Sequence, residues 1–139
     1  MKKKLDYVTN SSSTSFCVWG QNFDESFENL SDKAKKSIYD QYVRDAEKYN
    51  NGNYVSFEKY IEDPYNYDWK ETLLYLFEEK GLICSYGPDS DYGLMVGKHP
   101  EKMSEDMTLR EFKDSVRKIF EDIGIPGSVY FIEEGWYDG

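Results

Sequence analysis

Apolar and polar positions divide the chain into eight periodic segments. Ser15 to Gln21 reads as a strand, with Phe16, Val18 and Trp19 as its bulk. Ser31 to Tyr49 reads as a helix: Ala34, Ile38, Tyr42, Ala46 and Tyr49 recur at helical spacing, Ser31 is a natural N-cap, and Asn50-Asn51-Gly52 stops it. Ser56 to Glu62 predicts a short helix ending before Pro64. Asp68 to Lys80 predicts a third, with Asp68 and Glu71 as a capping-box variant, Trp69, Leu73, Leu76 and Phe77 as its apolar stripe, and Gly81 closing it. Leu82 to Tyr86 and Tyr92 to Lys98 read as strands, joined by a hairpin turn at Gly87-Pro88-Asp89-Ser90-Asp91. Thr108 to Asp122 has the strongest helical pattern. Thr108 and Glu111 form its capping box, Leu109, Phe112, Val116, Ile119, Phe120 and Ile123 its apolar face, and Gly124 follows. Ser128 to Glu134 is the last strand.

The order is strand, helices, strand, strand, helix, strand. It predicts an α+β domain on a four-stranded sheet, in the split βαβ or ferredoxin-like plan with an enlarged first crossover. Right-handed crossovers in that plan place the first and last strands side by side. Thr9 to Ser15 is a polar tract, so residues 1–14 are expected to form a leader and residues 15–139 one domain.

Composition narrows the function classes. The 139 residues include 13 Tyr, 8 Phe and 3 Trp, far more aromatic surface than a disordered acidic chain carries. The net charge of -10 disfavours phosphate binding and docking on anionic membranes, and it favours basic partners. Solubility alone is the simpler account of that charge. No segment has the length of a transmembrane helix. Lys2-Lys3-Lys4 is followed by polar residues rather than an apolar stretch, so a cytoplasmic protein is expected.

Few residues point to chemistry. Cys17 and Cys84 sit inside apolar strands and read as packed free thiols. His99 is the single histidine, and the spacing reads it as a turn residue. A Cys-His nucleophilic pair would need it beside Cys17 or Cys84 in space. Asp89-Ser90-Asp91-Tyr92-Gly93 departs from calcium-loop spacing, and Gly93 to His99 falls short of a phosphate loop. No catalytic residue, metal or cofactor is therefore expected. From Glu58 to Asp91 nine acids stand against three bases (Lys59, Lys70, Lys80), with tyrosines and a tryptophan among them. Acid with exposed aromatic suits docking on an Arg- and Lys-rich surface. The candidate partner-binding residues are Glu58, Glu62, Asp63, Tyr65, Tyr67, Asp68, Trp69 and Glu71. The simpler account is that these aromatics face the core.

Two stretches carry a resemblance. Asp6-Tyr7-Val8-Thr9-Asn10-Ser11-Ser12-Ser13-Thr14-Ser15-Phe16 resembles the D-[FY]-V-T-N-S-S-S-[ST]-S-F opening of uncharacterised small proteins of Gram-positive bacteria, their phages and mobile elements. Lys102 to Lys113 and Glu133 to Gly139 are similar to the closing part of members of that group. The resemblance implies a genomic setting and no mechanism. With the charge, it leads to the expectation of a non-enzymatic acidic module that binds a host or phage protein, in the manner of an anti-defence (anti-CRISPR-like) inhibitor of a nucleic-acid-binding protein. The alternative is a small-molecule or nucleotide-binding regulatory domain.

Overall fold

The computed structural model describes residues 14–86 and 93–135. It is an α+β structure; the described residues form one four-stranded antiparallel sheet and four α-helices. The strands are β1 (Thr14–Phe23), β2 (Ile83–Tyr86), β3 (Leu94–Lys98) and β4 (Tyr130–Gly135). The helices are α1 (Asp32–Tyr49), α2 (Phe57–Glu62), α3 (Trp69–Glu79) and α4 (Leu109–Ile123). Among the described residues, short 3₁₀ turns at Phe27–Asn29, Pro64–Tyr67 and Pro100–Lys102 were not expected from the pattern. The hairpin turn at Gly87 to Asp91 and the leader before Thr14 lie outside the described residues.

The residues sort into two compact units. One holds the sheet and residues 93–117; the other holds residues 25–82 and 118–127. α4 contributes its first half to the former and its second half to the latter.

In the sheet unit the strand order is β2-β3-β1-β4, so the first and last strands are neighbours. β1 alternates, as a strand must. Phe16 and Val18 are buried with Met95 against Ile83 and Ile132. Cys17 and Trp19 point to the opposite face, opposite Glu133 and Phe131 on β4. The Trp19 and Phe131 rings lie 5.2 Å apart, and the Lys113 ammonium sits 5.3 Å from the Trp19 ring centre. β1 and β3 approach most closely where Gly20 faces Gly97. A Cβ at Gly20 would fall 1.8 Å from the Val96 carbonyl oxygen, and one at Gly97 would fall 2.3 Å from that of Trp19. These two glycines are therefore a condition of the pairing. At the open end of β4, the Asn22 N–H donates to the Tyr130 hydroxyl at 3.1 Å.

Both α4 capping bonds form: Glu111 N–H donates to Thr108 Oγ1 at 3.1 Å, and Thr108 N–H donates to the Glu111 carboxylate at 2.9 Å. Phe112, Val116, Phe120 and Ile123 are buried as the pattern predicts. Leu109 is exposed instead, because it is the first residue of the helix.

The helical unit is built on aromatic rings. Tyr60 is fully buried, with Tyr42, Tyr39, Tyr67 and Phe27 around it at centroid distances of 4.7, 5.6, 5.7 and 6.2 Å. Two of these tyrosines also hold the segment after α1: the Tyr39 hydroxyl donates to the Val55 carbonyl, and the Val55 N–H donates to the Tyr42 hydroxyl. Ser31 caps α1 by accepting from Ala34 N–H and also donates to the Gly124 carbonyl at 2.8 Å. Gly124 (φ 106°) comes so near Ala34 that a Cβ would lie 2.6 Å from its backbone nitrogen. Two expectations fail here. Tyr49 is 75% exposed, because it is the last residue of α1 and turns away from the apolar stripe. Asp68 does not cap α3 with its side chain. Its backbone is left-handed (φ 54°) because it also terminates the Pro64–Tyr67 turn, and Glu71 is thereby freed for another partner.

Candidate functional site

The eight partner-binding candidates divide by exposure. Glu58, Glu62, Asp63, Tyr65, Asp68 and Glu71 are exposed, Tyr67 is half-buried, and Trp69 is buried. Glu58 and Glu62 stand four residues apart on α2 and share a face. Trp69 packs edge-on against Phe27 (5.3 Å), and Tyr67 stacks on Tyr60 (5.7 Å). Those two rings belong to the core, as the simpler account holds for them, because α3 turns its first residue inward. Tyr65, 60% exposed, leans on the edge of Trp69 and donates its hydroxyl to Glu28 at 3.4 Å. The Tyr75 hydroxyl likewise donates to Glu71 at 2.9 Å. Both phenols are held above their ordinary pKa, Tyr65 by desolvation and Glu28, Tyr75 by its hydrogen bond to the Glu71 carboxylate. Each pair thus keeps a neutral hydroxyl beside a carboxylate, in solvent.

A groove of about 580 Å³ runs between α1 and α3. Its floor is Gln41, a buried polar residue. The Gln41 amide donates to Asp45 at 2.9 Å, and its carbonyl oxygen accepts from Arg44 at 2.5 Å. Arg44 also reaches across to Glu79 on α3 at 3.2 Å. Tyr49 and Tyr75 also line it. Gln41, Arg44, Asp45, Lys48 and Tyr49 were absent from the sequence candidates. The helical period would have put Gln41 beside Asp45, but not α1 beside α3.

In the sheet unit Cys17 and His99 meet, although 82 residues separate them: Cys17 Sγ lies 3.6 Å from His99 Nε2. The spacing had read His99 as a turn residue. It is one, since it caps the Pro100–Lys102 turn, with Glu101 N–H donating to His99 Nδ1 at 3.1 Å. That bond occupies the Nδ1 lone pair, places the imidazole proton on Nε2, and makes His99 the donor to sulfur. A general base needs the opposite arrangement. The thiol is pushed above its ordinary pKa by burial, then by Glu133 and Glu101. It is a neutral thiol, without the electropositive surroundings that activate a nucleophile.

Among the described residues no group of three or more His, Cys, Asp or Glu is arranged to hold a metal ion, and no helix is long and apolar enough to cross a membrane. No family model matches the chain, and no curated protein or solved structure shows significant similarity to it.

Proposed function

We propose that this chain is a non-enzymatic acidic binding module that docks its helical unit on the basic surface of a partner protein. The observation that carries the reading is the pairing of exposed tyrosines with carboxylates, Tyr65 with Glu28 and Tyr75 with Glu71. A tyrosine held by a carboxylate is a rigid aromatic anchor beside a negative charge, and an Arg- or Lys-rich groove takes both. The net charge of -10 supports the same partner chemistry and speeds encounter with it. The resemblance of residues 6–16 to proteins of phages and mobile elements supports a setting in which the partner is a nucleic-acid-binding protein and the module occupies its basic site.

Charge reversal tests this. Glu58→Lys, Glu62→Lys and Asp63→Lys are changes at exposed positions, so the fold should survive them. Each should weaken a partner complex about 3- to 10-fold at low salt and reduce its salt dependence. Unchanged affinity in all three would remove this surface from the interface.

A further inference from the structure

We infer that the groove between α1 and α3 receives the guanidinium of an arginine side chain; this rests on the reading of the chain as a module for basic partners. Three features of the groove support it.

The first is the protein's own arginine. Arg44 lies in the groove, shared between the Gln41 carbonyl oxygen and the Glu79 carboxylate, so the acceptors there already fit a guanidinium. The second is the remaining charge. Arg44 is neutralised by Glu79, and Lys48 sits 5.2 Å above the Tyr49 ring. The Glu78 carboxylate, facing the same space, takes part in no ion pair or hydrogen bond among the described residues. One oxygen of Asp45 is used by Gln41. The lining thus holds three carboxylates (Asp45, Glu78, Glu79) against two cations (Arg44, Lys48), and Arg44–Glu79 is the ion pair among them. The third is the aromatic lining. Tyr49 and Tyr75 are 75% and 44% exposed, and neither contributes to the core. A planar cation entering the groove meets exposed ring surface as well as the carboxylate.

The test is an NMR titration of the ¹⁵N-labelled full chain. The probe is a capped heptapeptide of glycine and serine with one central arginine, run beside versions with lysine or citrulline there. The expected result is saturable shifts of the amides of residues 44–49 and 75–79 with the arginine peptide. Lysine should bind about threefold or more weakly, because it lacks the planar fork. Citrulline, of the same shape without charge, should give no saturation. Glu78→Gln and Glu79→Gln, both at exposed positions, should each weaken the arginine peptide about 2- to 5-fold. No saturable shift at these amides overturns the inference, and so does equal binding of the citrulline peptide. Glu58→Lys, Glu62→Lys and Asp63→Lys should leave the peptide's affinity within about twofold, since screening limits their reach. If those reversals abolish partner binding while the arginine peptide fails to titrate, the inference falls alone. If the peptide titrates as expected and the reversals leave partner binding intact, the inference stands and the wider reading falls.

Discussion

Cys17 touches His99 and Tyr75 touches Glu71, yet the two contacts have different consequences. In the sheet unit, burial and two carboxylates keep the thiol protonated, and a backbone N–H fixes the imidazole in the tautomer that donates to sulfur. In the helical unit, Glu71 holds a phenol in open solvent. Proximity is the same in kind, and the surroundings decide what it is for. The sheet unit keeps its thiol neutral, while the helical unit presents carboxylates and rings outward around an aromatic core.

The largest expected effect breaks that core. Tyr60→Ala should cost about 3 to 5 kcal/mol in urea denaturation, as for other large aromatics. Tyr60→Phe should stay within about 1 kcal/mol of the parent, because the buried Tyr60 hydroxyl makes no hydrogen bond of good geometry among the described residues and loses at most a weak one to Thr72. A large loss from Tyr60→Phe would show a hydroxyl contact in the helical unit that this account lacks. In the sheet unit the corresponding weak point is backbone rather than ring. Gly20→Ala should cost about 3 kcal/mol, since its Cβ meets the Val96 carbonyl oxygen.

A smaller effect is pH-dependent. Burial raises the Tyr60 phenol well above its ordinary range, and Tyr39, Tyr65, Tyr75 and Cys17 are raised as well. In such groups the unfolded chain loses its proton first. The stability they contribute is complete below the unfolded pKa and is lost as pH rises through the folded one. Stability should therefore fall above about pH 8.5 through Cys17 and more steeply above about pH 10, where Tyr60→Phe should flatten the decline by up to about 1.4 kcal/mol per pH unit. The smallest effect separates the two units most sharply. Iodoacetamide should alkylate Cys17 with a midpoint above about pH 8.5, and His99→Gln should change the rate by less than about threefold. A rate plateau below pH 7 that disappears in His99→Gln would show a thiolate–imidazolium pair.

The sequence made the local features readable. Ser31 and the Thr108–Glu111 box cap the helices that their spacing predicts, and the stripes of α3 and α4 are buried, apart from exposed Leu109 and half-buried Ile119. These depend on neighbours within one turn. Asp68 failed as a cap because a 3₁₀ turn, invisible to helical periodicity, ends on it and sets its backbone. Trp69 was a candidate anchor and proved to be core, since an aromatic beside acids reads the same whichever way the helix is turned. The groove needs α1 beside α3, and the Cys17–His99 contact needs β1 registered against β3. Both are long-range packing outcomes that no local spacing encodes.

The most direct test of the central claim is affinity capture with the full chain from bacterial host lysate, with and without nuclease. The parent is run beside a Glu58→Lys, Glu62→Lys, Asp63→Lys triple variant, and the captured partner is then purified for direct titration. The account predicts one stoichiometric, basic, nucleic-acid-binding protein, retained after nuclease treatment and lost by the triple variant. Retention of no such protein, or equal retention by both, would contradict it.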